Sequence, residues 1–175
     1  MLKSWCQNAC LLVVAHVLVG CGATQFVAKM PDSLAVKPGD TIELLPIENA
    51  TGKTLEVPAD KIFDEYMAKL LQERKLLAAP AQPSSLVFKA KLVEYEPGNA
   101  FGRWLLPGVG TTVCTVHAEL LDKKTGALAG RMEARQTVSF GGAYSIGADE
   151  YICKRAADDL IAEIDKRLGK KEPPQ

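Results

Sequence analysis

Thr111-Thr112-Val113-Cys114-Thr115-Val116-His117-Ala118-Glu119-Leu120-Leu121, then Asp122-Lys123-Lys124-Thr125-Gly126, then Ala127-Leu128-Ala129-Gly130-Arg131-Met132-Glu133-Ala134-Arg135-Gln136-Thr137-Val138-Ser139-Phe140 is the run on which the fold assignment turns. Successive side chains of a strand point to opposite faces, so strict alternation of apolar and polar residues marks a strand with one buried side. Cys114, Val116, Ala118 and Leu120 fall on one side, with Thr115, His117 and Glu119 on the other. After a five-residue turn the pattern returns, with Met132, Ala134, Val138 and Phe140 set against Arg131, Glu133 and Arg135. Two alternating runs around a Thr-Gly turn predict an antiparallel hairpin with one apolar and one charged face.

Working outward, residues 85–96 repeat the alternation, with Leu86, Phe88, Ala90 and Leu92 against Lys89 and Lys91, and predict a further strand. Upstream, Thr41-Ile42-Glu43-Leu44-Leu45-Pro46-Ile47 is a short apolar run whose proline cannot donate to a ladder, which predicts a strand ending at an edge or bend. Between them, Pro58-Ala59-Asp60 opens a helix carrying Ile62, Phe63, Tyr66, Met67, Leu70 and Leu71 on one side and ending near Leu77. A last helix spans about 148–168 and buries Ile152, Cys153, Ala156, Leu160, Ile161 and Ile164. The predicted order is β-α-β-β-β-α. It is an α+β domain, a four-stranded mixed sheet with two helices on one face and the charged face left open.

The chain has 175 residues, enough for one domain, here 41–168, followed by a disordered tail at 169–175. Lysine plus arginine and aspartate plus glutamate number 21 each, so no global field draws in nucleic acid. Residues 1–20 combine Lys3, an apolar run from Ala9 to Val19 and small residues ahead of Cys21. That length suits a cleaved signal peptide and is too short for a membrane span. Leu18-Val19-Gly20-Cys21 resembles the lipobox of bacterial lipoproteins. The resemblance implies cleavage before Cys21 and acylation of its thiol. One acyl chain binds only marginally at about 0.8 kcal/mol per buried methylene, whereas two or three hold firmly. Residues 21–40 then read as the lipidated terminus and a tether, broken by Met30-Pro31-Asp32 and Lys37-Pro38-Gly39-Asp40. Gly22, where aspartate would retain a Gram-negative lipoprotein at the inner membrane, implies the outer membrane, facing the periplasm.

Gly98-Asn99, Arg103, Gly108-Val109-Gly110, the strand that follows, Leu121-Asp122, Thr125-Gly126 and an alanine-rich last helix together resemble an uncharacterised lipoprotein family, domain of unknown function 4410, over about residues 40–168. The family implies no activity. In element order the domain is also similar to the periplasmic domains of the curli-secretion lipoprotein and of lipoprotein activators of cell-wall synthases, which act by protein contact, an analogy of topology alone.

No cluster in the sequence amounts to an active site, a metal centre or a cofactor loop. His117 is the one histidine beyond the leader and lies on a polar strand face, where a surface role is expected. Gly141-Gly142-Ala143-Tyr144-Ser145 lacks the ending of a phosphate loop and reads as a strand-to-helix turn. Cys114 and Cys153 both face inward, either as a disulfide worth roughly 3 to 4 kcal/mol in the chain-entropy view or as two buried thiols. Phe101, Arg103, Trp104, Leu105 and Leu106 sit in a loop from Pro97 to Gly108, either as a partner contact or as a cap on the core. The expectation is a non-enzymatic envelope lipoprotein, joined to the membrane by lipid on Cys21, that binds a protein partner or oligomerises. The alternative is a periplasmic small-ligand carrier or enzyme with a pocket between helices and sheet.

Overall fold

A computed structural model describes residues 25–29 through their backbone, and 36–37, 39–79, 83–106, 108–139 and 146–168. The leader, Cys21, the breakers at 30–32, the glycine-rich run 141–145 and the tail from 169 lie outside the described residues.

Six strands form one sheet: β1 (Gln25–Lys29), β2 (Ile42–Leu44), β3 (Glu48–Asn49), β4 (Leu86–Glu96), β5 (Thr112–Asp122) and β6 (Leu128–Val138), in the order β1-β6-β5-β4-β2 with β3 also on β4. β4, β5 and β6 are antiparallel and β2 and β3 run parallel to β4, so the mixed α+β sheet with its central hairpin is as the alternation predicts. The run 41–47 bends away from the ladder at its proline, as predicted, and β3 resumes the pairing just beyond it. The chain leaves the ladder after Leu45 N donates to Phe88 O (3.1 Å) and rejoins it where Ala50 N donates to Leu92 O (2.9 Å).

Helix α1 (Ala59–Glu73) stops short of Leu77, because Lys75 takes φ 58° and turns the chain back so that Leu77 bridges Ile42. Helix α3 (Ala148–Arg167) starts after Gly147 at φ 72°, a conformation that suits glycine. Phe63, Met67 and Leu71 of α1 and Ile152, Ala156, Leu160 and Ile164 of α3 close over Phe88, Leu92, Val116, Leu120 and Met132 of the sheet. All are buried, and both helices therefore lie on one face. Arg74 at the end of α1 pairs with buried Asp165 of α3, tying the helices at one end.

Two elements depart from the sequence reading. Residues 25–29, read as tether, form edge strand β1 against β6, with Gln25 opposite Arg135 and Lys29 opposite Arg131. The loop after β4 contains a short helix, α2 (Ala100–Leu105). A bulge at Val93 also inverts the phase of β4. Leu92 pairs with Val116 but Glu94 pairs with Thr115, so Tyr95 turns inward and Glu94 outward. No helix among the described residues is long and apolar enough to cross a membrane.

Candidate functional site

The segment from Pro97 to Thr111 is a built structure. Gly98 turns the chain at φ 70°, and the Asn99 side chain accepts from Gly102 N (3.0 Å), capping α2. Asn99 N and Arg103 Nη1 both donate to Gly110 O, at 2.9 and 2.8 Å, so the far limb of the loop is clamped to the near one. Arg103 Nη1 also donates to the Thr112 hydroxyl, which itself donates to Pro97 O (2.8 Å). Gly108 N donates to Ser139 O (3.2 Å), joining the loop to the residue after β6.

The outcome inverts the usual burial order. Arg103 is 4% exposed, whereas Phe101, Trp104, Leu105 and Leu106 are each more than half exposed. Arg103 therefore does not belong with a contact surface, because its guanidinium holds the loop from inside. The four apolar side chains do not cap the core either.

The uncovered face of the sheet carries cross-strand rows of opposite charge. Lys89, Glu119 and Arg131 form one row, with Arg131 Nη2 2.7 Å from Glu119 Oε1. Lys91, His117 and Glu133 form the next, with His117 Nε2 3.5 Å from Glu133 Oε2 and Lys91 Nζ 2.8 Å from Glu48 Oε2. In the third, Arg135 pairs with Glu94, which also accepts from the Thr115 hydroxyl (2.8 Å). A groove of about 690 Å³ opens over the first two rows, beside the Leu45-Pro46 bend. It lies on the side opposite the helices. Between helices and sheet, where the predicted alternative sets a pocket, the described residues Phe63, Met67, Leu160, Phe88 and Val116 pack as core.

The chemistry of this face is that of neutralised charge. The Glu48 carboxylate raises the Lys91 ammonium above its ordinary value, and at the sheet's other end the Lys123 ammonium holds Glu43 below the usual carboxylate range. His117 is half exposed and faces a single carboxylate. These rows give each charge an opposite neighbour. No group of three or more potential metal ligands occurs among the described residues.

Cys114 on β5 and Cys153 on α3 are free thiols, both fully buried, with their sulfurs 3.8 Å apart. The contact with Cys153, and then burial, push the Cys114 thiol well above its ordinary range, which removes it as a nucleophile.

No functionally curated protein matches the chain in sequence. Among solved structures it is similar to the PelC dodecamer from Paraburkholderia phytofirmans, at 20% identity and TM-score 0.54, covering 87% of this chain and 100% of that one. It is also similar to protein XCC0632 from Xanthomonas campestris, of the DUF330 family, at 12% identity and TM-score 0.51, covering 79% and 91%. Protein CT253 from Chlamydia trachomatis aligns at 12% identity and TM-score 0.50, covering 73% and 97%. At such identities the likeness establishes a shared fold. The family model described as domain of unknown function (DUF4410) matches residues 42–142, from the start of β2 through the clamped loop and hairpin to just beyond β6. That span is more than half of the sequence, and the chain belongs to the DUF4410 family.

Proposed function

We propose that this DUF4410 chain is a lipid-anchored protein of the cell envelope that acts by contact rather than catalysis, assembling with copies of itself through the open face of its sheet. The observation that carries the reading is that uncovered face. Three eleven-residue strands present rows of alternating sign that no other described residues cover, a pattern that a second copy can match by offsetting its rows. The PelC chains that share the fold over their whole length assemble as dodecamers, which supports self-assembly here. The leader and lipobox-like Leu18-Val19-Gly20-Cys21 support the anchor, and Gly22 supports an outer-membrane position facing the periplasm.

Growth with a clickable fatty acid is expected to label the wild type and leave Cys21→Ala unlabelled; equal labelling would remove the anchor. Native mass spectrometry of the mature protein is expected to show a multi-copy assembly. Glu119→Lys, which sets three cations in one row, is expected to dissociate it with no change in far-UV circular dichroism. A wild type that stays monomeric at every micromolar concentration defeats self-assembly, and retention of a different protein on the face would replace it.

A further inference from the structure

Large apolar side chains left in water are not scattered over this molecule. Of the seven that stand exposed among the described residues, Phe101, Trp104, Leu105, Leu106, Val109 and Ile146 gather at one end of the sheet, and Leu128 alone lies at the other. The first five belong to the clamped loop between β4 and β5. Ile146 precedes α3, whose first turn is held to that end by the Tyr95 hydroxyl donating to Asp149 O (2.8 Å). An apolar cluster of this kind at one end of a polar domain marks a contact.

The register of β1 says what lies opposite it. β1 runs antiparallel to β6 with Gln25 opposite Arg135, so it enters the sheet from the end where β6 finishes and β5 begins. The loop meets that corner through the Gly108 to Ser139 hydrogen bond. Only Gly22, Ala23 and Thr24 separate Cys21 from Gln25, a leash that reaches at most about 14 Å fully extended. An acylated Cys21 therefore holds this end of the domain within a side chain or two of the lipid.

We propose that this end of the domain seats in the bilayer interface, with Phe101, Trp104, Leu105, Leu106, Val109 and Ile146 as a second foothold beside the acyl chains; the inference rests on the lipidation of Cys21. Aromatic rings suit that depth, where one edge meets headgroups and the body meets hydrocarbon. Entry desolvates little charge, because Arg103 is the one charged residue from Pro97 to Thr111 and its guanidinium is already buried. Glu96, Asp149 and Glu150 lie at the rim, so the match is to a neutral lipid surface and its strength does not come from anionic headgroups. Standing on this end, the molecule directs its open sheet face along the membrane plane, where other anchored copies would be.

Trp104 is the sole tryptophan once residues 1–20 are gone, which gives a direct probe. The mature protein, purified from membranes and weighed to establish acylation of Cys21, is reconstituted in phosphatidylcholine and phosphatidylethanolamine vesicles with or without brominated acyl chains. Blue-shifted Trp104 emission is expected, quenched severalfold by the brominated lipid and insensitive to salt. Phe101→Ser combined with Leu105→Ser is expected to remove most of the quenching while circular dichroism is unchanged, and Trp104→Phe is expected to remove the signal. Water-like emission without quenching from acylated protein would overturn the foothold and leave the anchor intact. Blue-shifted emission without quenching would show a second copy on the patch, which also overturns it. A mass lacking acyl groups would defeat the anchor itself, and with it the leash; quenching of that non-acylated protein, added to the same vesicles, would then have to stand without it.

Discussion

Gly110→Ala is expected to cost about 3 kcal/mol of stability, well beyond the roughly 1 to 2 kcal/mol of the left-handed backbone alone, whereas Gly108→Ala costs only that smaller amount. Both glycines have positive φ, 70° and 84°, so both carry the conformational penalty. They differ in what a methyl group meets. At Gly108 there is open space, but at Gly110 a Cβ would lie 2.5 Å from Asn99 O and 3.1 Å from Asn99 Cβ, so backbone must move. Asn99 is the cap of α2, and Gly110 O is the acceptor for both Asn99 N and Arg103. Separating the two limbs therefore unfastens the clamp around a buried cation and loses several bonds together. Urea denaturation of the three proteins at one pH measures the difference, with Trp104 emission reporting on the loop. Equal stability of the two variants would mean that the close approach at Gly110 relaxes freely and that the clamp is not the reason for the glycine.

The same loop shows how far the residues could be read in advance. Gly98-Asn99, Arg103 and Gly108-Val109-Gly110 stood out as a succession, yet single-residue reasoning grouped Arg103 with its aromatic neighbours because arginine and aromatics share interface chemistry. The guanidinium is instead an internal strut, and its partners at Gly110 and Thr112 lie seven and nine positions away, beyond any local pattern. One local signal was available: Asn99 ahead of Ala100 is a helix cap, and it pointed to α2.

Alternation made the hairpin and its faces legible because burial on one side of a strand writes itself into every second residue. It fails where the backbone breaks the period. The bulge at Val93 leaves Glu94 outward and Tyr95 buried, against the count from Leu92. Strand β1 was missed for a different reason. Gln25-Phe26-Val27-Ala28-Lys29 is short, and its pairing partner is Arg131 to Arg135, more than a hundred residues later, so nothing nearby distinguishes it from a tether. That omission matters for the proposed anchor, because with Cys21 acylated the strand would shorten the leash to three residues and set which end of the domain meets the lipid.

Oxidation of Cys114 and Cys153 to a disulfide is expected to raise stability by roughly 3 to 4 kcal/mol over the dithiol form, since it closes a loop of about 40 residues in the unfolded chain. The step removes two protons and two electrons from the thiols and passes them to a disulfide donor of the thiol oxidoreductase class, which leaves as a dithiol. Geometry favours it: the sulfurs are already in contact at 3.8 Å, and a bond needs them to close to about 2 Å. Access opposes it, because both thiols are fully buried and contact with Cys153, then burial, push the Cys114 thiol well above its ordinary range. If the chain is exported as proposed, the bond is expected to form on the way, before α3 closes over β5, and to be inaccessible to reductants afterwards. Protein taken from the envelope, unfolded in the presence of an alkylating agent, is expected to show neither cysteine modified unless it is reduced first. The Cys114→Ala, Cys153→Ala double variant is then expected to unfold at a lower urea concentration than oxidised wild type and close to that of wild type made in a reducing cytosol. Two alkylated cysteines in unreduced envelope protein would show that the pair matures as thiols, and that α3 docks on the sheet faster than the oxidant arrives.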